Sequence, residues 1–168
     1  MIKFLLTQAV LRGEKTQTRR IVKDDTPLGN FEETMKHAPY KVGEIVAVAQ
    51  CYWDIGSPQF DKFGYDVPGN TNKMFVKGEL MPHKIKITNV RIERLQDISD
   101  EDCLREGIWQ FYDNKNLFYV SKNIGYAPTV AFPSACEAFA YLIDMVSGKG
   151  AWEINPYVWV YDFELVKK

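Results

Sequence analysis

Between Arg12 and Arg20 the chain gathers four cations (Arg12, Lys15, Arg19, Arg20) and two hydroxyls (Thr16, Thr18) around a single carboxylate, Glu14. Two chemistries are open to such a run. Cations interleaved with hydroxyls can cradle a phosphate. Alternatively, an amine and a hydroxyl close in sequence make an activated nucleophile, because a neutral lysine can take the proton of a threonine once burial has lowered the amine pKa. Lys15 and Thr18 are close enough to share one pocket wall. A third reading is a solvated basic segment beyond a helix end, where cations are favoured by the dipole.

The surrounding elements decide where this run sits. Ile2 to Leu6 is apolar, and Gln8 to Arg12 reads as a short helix stopped by Gly13. The basic run therefore falls in a loop or strand entry. Residues 24–41, polar and carrying Pro27, Gly29 and Pro39, read as loop. Ile45 to Tyr52 reads as a buried strand, residues 54–72 as a long excursion, and Met74 to Val76 as a short strand. His83 to Leu95 alternates apolar and polar residues with a phase slip near Asn89, the pattern of a long half-buried strand with a bulge. Ser99 caps a helix that ends at Gly107. Leu117 to Val120 and Thr129 to Phe132 could pair as a hairpin. Ser134 to Val146 is an amphipathic helix, and Tyr157 to Val166 a last strand with apolar residues on both faces. The order gives an α+β domain, a small β-barrel flanked by helices, spanning 1–168.

Composition narrows the function. The 168 residues are 46% hydrophobic and 26% charged, with a formal net charge of −1. No global positive field draws the chain onto nucleic acid, so any such binding is local to the basic run. Cys51, Cys103 and Cys136 are widely spaced and odd in number, against a disulfide framework or a zinc site. His37 and His83 lack neighbouring ligands, so no metal and no cofactor is expected. No segment approaches the roughly 20 apolar residues of a membrane span. A cytoplasmic location follows from these features as an expectation.

The run Gly13-Glu14-Lys15-Thr16-Gln17-Thr18-Arg19-Arg20 resembles the G-x-K-T-x-T-x-R signature of the ASCH domain family, within the PUA-like superfamily. Four further stretches resemble an ASCH group common in phages, prophages and bacterial genomes: residues 42–44 (VGE), 88–99 (TNVRIERLQDIS), 101–108 (EDCLREGI) and 152–160 (WEINPYVWV). They occur in the family order. The chain departs from the pattern after Glu44, where relatives carry L-W-V-R-E and this chain has Val46-Ala47-Val48-Ala49-Gln50. The stretches at about 54–72 and 109–133 are inserts relative to the smallest members.

The resemblance implies a PUA-like pseudo-barrel with a cleft for RNA or a modified nucleoside. Some small members hydrolyse the amide of 4-acetylcytidine, and others are ribonucleases or RNA binders. The hydrolytic positions correspond here to Lys15, Thr18 and Glu106. A carboxyl at a helix C-terminus is suited to donate a proton to a departing amine. Arg19, Arg20 and Thr16 are then candidate ligand contacts, Trp53 a candidate stacking surface for a base, and backbone N–H groups a candidate oxyanion site. The alternatives are a non-catalytic RNA-binding module and a mobile-element accessory protein that acts through a protein partner.

Overall fold

The computed structural model describes residues 1–56, 67–121 and 130–166. Helix α1 (Thr7–Leu11) ends where Gly13 adopts φ 74°, as its sequence predicts. The second half of the basic run is a strand, β1 (Gln17–Ile21). Residues 24–41 are not all loop: α2 (Phe31–Lys36) starts at Asn30, whose side chain accepts from the Glu33 N–H at 3.2 Å. That Asn-x-x-Glu spacing is an N-terminal capping signal.

Strand β2 (Ile45–Ala47) is shorter than the apolar run suggests, because Ala49 and Tyr52 turn into a separate small core with Val76 and Met81. Single 3-10 turns follow at Trp53–Ile55 and Gly78–Leu80. Met74 to Val76 forms no strand: Phe75 has φ 62°, which reverses the backbone out of the extended region. Strand β3 (Lys84–Arg94) carries the expected irregularity, a register shift between Ile87 and Asn89. Helix α3 (Asp100–Arg105) is capped by Ser99 at one end and Glu106 at the other. Strands β4 (Ile108–Gln110) and β5 (Phe118–Val120) pair with each other, and the predicted contact with the segment near Phe132 is reduced to one bridge, Phe118 to Phe132. Residues 122–129 of that predicted hairpin lie outside the described residues. Helices α4 (Ala135–Ser147) and α5 (Ala151–Ile154) precede the last strand, β6 (Tyr157–Leu165).

The main sheet is antiparallel in the order β1-β6-β3-β2 and curls into a half-barrel. Each face of β6 feeds a different core. Val158 and Val160 pack with Phe139 and Leu142 of α4, whereas Trp159, Tyr161 and Phe163 pack with Phe4, Ile85 and Ile87. This α+β half-barrel with helices against it is the architecture the resemblance implies.

Among the described residues the sheet does not close at β1, which has β6 as its ladder partner and an open edge on the other side. Phe163 N–H donates to Thr16 O, and Val22 N–H donates to Tyr157 O, both at 2.9 Å. In an antiparallel pair the N–H and C=O of one residue point the same way and alternate along the strand. The even-numbered residues of β1 therefore bond to β6. The main-chain groups of Gln17, Arg19 and Ile21 face the open edge.

Candidate active site

Lys15 follows α1 directly, its N–H held by Ala9 O at 3.0 Å. Its side chain runs inward, only 6% exposed, to the C-terminal end of α3. There the amine donates to the Glu106 main-chain oxygen at 2.6 Å and to its carboxylate Oε2 at 2.5 Å. One ammonium thus caps an otherwise unpaired helix-end carbonyl and neutralises a side chain that is itself 4% exposed. Gly107 permits the approach. It has φ 96°, and a Cβ there would stand 3.0 Å from Leu6 Cδ1 and 3.5 Å from Lys15 Cβ.

Arg19 holds the other carboxylate oxygen, donating from Nη1 to Glu106 Oε1 at 3.2 Å. It also donates to Gln17 Oε1, to Glu93 at 2.5 Å and to Asp102 at 3.2 Å. Behind it, Arg91 bridges Glu93, Asp102 and Asp162, and Arg105 bridges Asp102 and Asp162. The result is one network of four cations (Lys15, Arg19, Arg91, Arg105) and four carboxylates (Glu93, Asp102, Glu106, Asp162), tying β1, β3 and β6 to α3. It is neutral as a whole, which is what allows so many charges at low exposure.

Burial lowers the Lys15 pKa, opposed by the Glu106 charge and hydrogen bond and assisted by Arg20 and Arg19. For Arg19, burial is outweighed by Glu106, Glu93 and Asp102, so the guanidinium is held more firmly charged. Burial also lowers Arg20. Arg20 donates to the Lys3 main-chain oxygen and lies over the Phe4 ring, 5.8 Å from its centroid. No carboxylate within ion-pair distance meets it among the described residues.

A cavity of about 60 Å³ joins these groups. Lys15, Thr18, Arg19, Arg20 and Glu106 line it together with apolar residues that include Phe4, Leu6, Phe139, Leu142 and Ile143. The Thr18 hydroxyl, on a residue only 5% exposed, has no hydrogen-bond partner among the described residues. Five of the seven residues singled out by sequence therefore line one cavity. Thr16 does not: its hydroxyl accepts from Arg105 Nε at 3.4 Å, outside the cavity. Trp53 does not either. It is 67% exposed and borders a separate open pocket with Cys51, Asp54 and Thr71.

Sequence reasoning missed the apolar wall and the ion-pair network behind Arg19. One signal was present. Asp162 interrupts the inward series Val158, Val160 on a strand with both faces packed, and a lone carboxylate there demands cations from its neighbours. Chemically, the arrangement offers a hydroxyl without a partner among the described residues, an amine with lowered basicity, a carboxylate clamped by two cations, and a guanidinium that meets no carboxylate among the described residues, all around a small apolar hollow. Among the described residues no group of three His, Cys, Asp or Glu side chains is placed to hold a metal, and no helix is long and apolar enough to cross a membrane.

No family model matches the chain, and no curated protein matches it. Two solved structures are similar to it. One is an ASCH domain from Lactobacillus crispatus JV V101, at 13% identity and TM-score 0.49, covering 96% of this chain and 70% of that one. The other is a protein of Enterococcus faecalis V583 assigned to DUF984, at 14% identity and TM-score 0.43, covering 96% of this chain and 66% of that one.

Proposed function

We propose that this chain is an ASCH-type, PUA-like protein that takes RNA or a modified nucleoside at the Lys15–Glu106 cavity and hydrolyses the amide of an acylated cytidine such as 4-acetylcytidine. The observation that carries this reading is that Lys15, Thr18 and Glu106 line one cavity together with apolar side chains, with the Lys15 amine donating to the Glu106 carboxylate. Size supports a small acyl group as the part that enters. Drug-sized ligands occupy roughly 300–1,000 Å³, whereas the cavity measures about 60 Å³. The acyl end fits inside and the base stays outside.

In this reading Thr18 is the nucleophile. Lys15, its basicity lowered by burial, takes the hydroxyl proton and returns it to the leaving nitrogen. Glu106 holds the amine in place and balances its charge. Arg20, which has no ion pair among the described residues, is the cation for the substrate's carbonyl or phosphate. The site offers Arg19 no such role through its side chain, which is engaged with Gln17, Glu93, Asp102 and Glu106.

The test is incubation of the purified protein with 4-acetylcytidine, deacetylation being followed by absorbance beside a Lys15→Ala control. Turnover that disappears in the variant supports the reading. Intact nucleoside after prolonged incubation refutes the hydrolytic part. Saturable binding of cytidine or RNA at the same cavity, without turnover, would then leave a binding module.

A further inference from the structure

Arg19 lines the cavity, yet its guanidinium does not. The side chain is 0% exposed, whereas the residue as a whole retains 6%. The surface that Arg19 presents is therefore main chain. Strand register identifies the atoms. Even residues of β1 bond to β6, so the N–H and C=O of Arg19 point to the open edge, and Arg19 lines the cavity together with Phe4, Leu6 and residues of α4. The Arg19 N–H donates to no described residue. It is held still from both directions, by the ladder through Thr18 and Arg20 and by the hydrogen bonds of its own guanidinium.

We propose that the main-chain N–H of Arg19 is the donor that receives the developing oxyanion when Thr18 attacks an acyl carbon, an inference that rests on the acyl-transfer reading above. The amide nitrogen of residue 19 is bonded directly to the carbonyl carbon of Thr18. A donor on the residue after the nucleophile is thus brought beside the reacting carbon by the chain itself, an arrangement that also serves the nucleophile elbow of unrelated hydrolases. The balance is complete within the site. The Thr18 oxygen forms a bond to the acyl carbon, its proton moves to Lys15 Nζ, and the carbonyl π pair becomes a lone pair on oxygen facing the Arg19 N–H. Collapse of this intermediate breaks the C–N bond, and the departing nitrogen takes the proton from Lys15. Water then cleaves the Thr18 ester to release the carboxylic acid and restore the hydroxyl. The apolar lining keeps bulk water from screening the N–H, the condition under which a single fixed donor matters most.

The experiment removes this one hydrogen. Cys51 offers a ligation junction, so residues 1–50 can be made by synthesis with the α-hydroxy analogue of arginine at position 19, replacing the N–H by an ester oxygen and leaving the guanidinium. Loss of one oxyanion donor lowers kcat by roughly 10²–10³-fold, with KM little changed. The same ester at Ile21, another outward residue of the edge that lies outside the cavity, leaves kcat within about twofold on the same reasoning. Wild-type kcat in the Arg19 ester, alongside a dead Lys15→Ala control, overturns the donor and leaves hydrolysis standing. Absence of turnover in the unmodified protein removes acyl transfer and the donor's role with it. Amide hydrogen exchange supplies a readout apart from turnover. A boronic acid that forms a tetrahedral adduct on Thr18 shifts the Arg19 amide resonance downfield and slows its exchange, and an unchanged Arg19 amide beside a formed adduct overturns the proposal.

Discussion

Replacing Arg19 by methionine keeps much of the side-chain volume against Phe139 and deletes the charge at the centre of the network. The cost follows from what each partner retains. Glu106 keeps Lys15; Glu93 and Asp102 keep Arg91, and Asp102 also Arg105. No carboxylate is left without a cation, but four cations against four carboxylates become three against four. Breaking a buried pair from one side costs about 3–5 kcal/mol. Glu93 and Asp102 are 20% and 18% exposed, so water screens part of their loss, while Glu106 at 4% recovers little. Arg19 Nε is buried without a partner in the native protein, and its removal returns about 1 kcal/mol of desolvation. The expected destabilisation is about 3 kcal/mol, which lowers Tm by roughly 6–12 °C for a chain of this length. Urea unfolding followed through the buried Trp159 measures it. An Arg19→Met variant within about 1 kcal/mol of wild type at unchanged m-value refutes the view that Arg19 is the keystone of the fold here. A double-mutant cycle with Glu106→Gln isolates the Arg19–Glu106 share, which the contact geometry makes non-zero.

On the proposed mechanism the rate of 4-acetylcytidine hydrolysis rises with pH as Lys15 loses its proton, and its half-maximum lies below the ordinary lysine value of 10.5 because burial lowers this pKa; a half-maximum at or above 10.5 contradicts the base assignment. Arg20→Ala weakens cytidine or RNA binding by about tenfold, or ~1.4 kcal/mol, with little loss of fold stability because its one hydrogen bond is to Lys3 O; titration calorimetry paired with urea melts separates the two. Burial would raise the Asp162 pKa, but hydrogen bonds from Gln17 and Asn89 and the charges of Arg105 and Arg91 outweigh it and hold the carboxyl below its usual range. Its stabilisation is thus complete above the unfolded-state pKa and is lost as pH falls through the depressed folded one. Asp162→Asn lowers stability at pH 7 by about 1–2 kcal/mol and flattens the acid limb of the stability curve; an unchanged acid limb sinks this assignment.

Local signals in the sequence located most elements. Ser99 and Ser134 as caps, Gly13 and Gly107 as stops, and the phase slip near Asn89 each have a short-range cause, and each appears in the structure. The errors arose where tertiary packing overrode pattern. The apolar run from Ile45 leaves the sheet after Ala47, because Ala49 and Tyr52 are claimed by a third core cluster whose other members lie beyond residue 75. The site was half legible. Lys15, Thr18 and Arg20 are close in sequence and stand out by residue type, and Glu106 came from the family resemblance. The different use of Arg19 and Arg20 was not legible. Adjacent residues of a strand point to opposite faces, and only the folded sheet reveals that one face meets Glu93, Asp102 and Glu106 while the other meets Phe4 and Tyr161.

The ladder between the first strand and the last has a kinetic consequence. Gln17 and Asp162 are 145 residues apart and Lys15 and Glu106 are 91 apart. Contacts this non-local slow folding, since loop closure is paid for before any of them forms. During synthesis the basic run emerges early and meets none of its sheet neighbours until the segment Tyr157–Leu165 has left the ribosome. A nascent chain lacking that segment has no ladder partner for β1, the strand that carries Thr18, Arg19 and Arg20. The strand that carries Thr18, Arg19 and Arg20 is therefore without its sheet neighbour until Tyr157–Leu165 has been translated, and ribosome-bound intermediates ending before residue 157 leave the β1 main chain unpaired on both sides among the described residues.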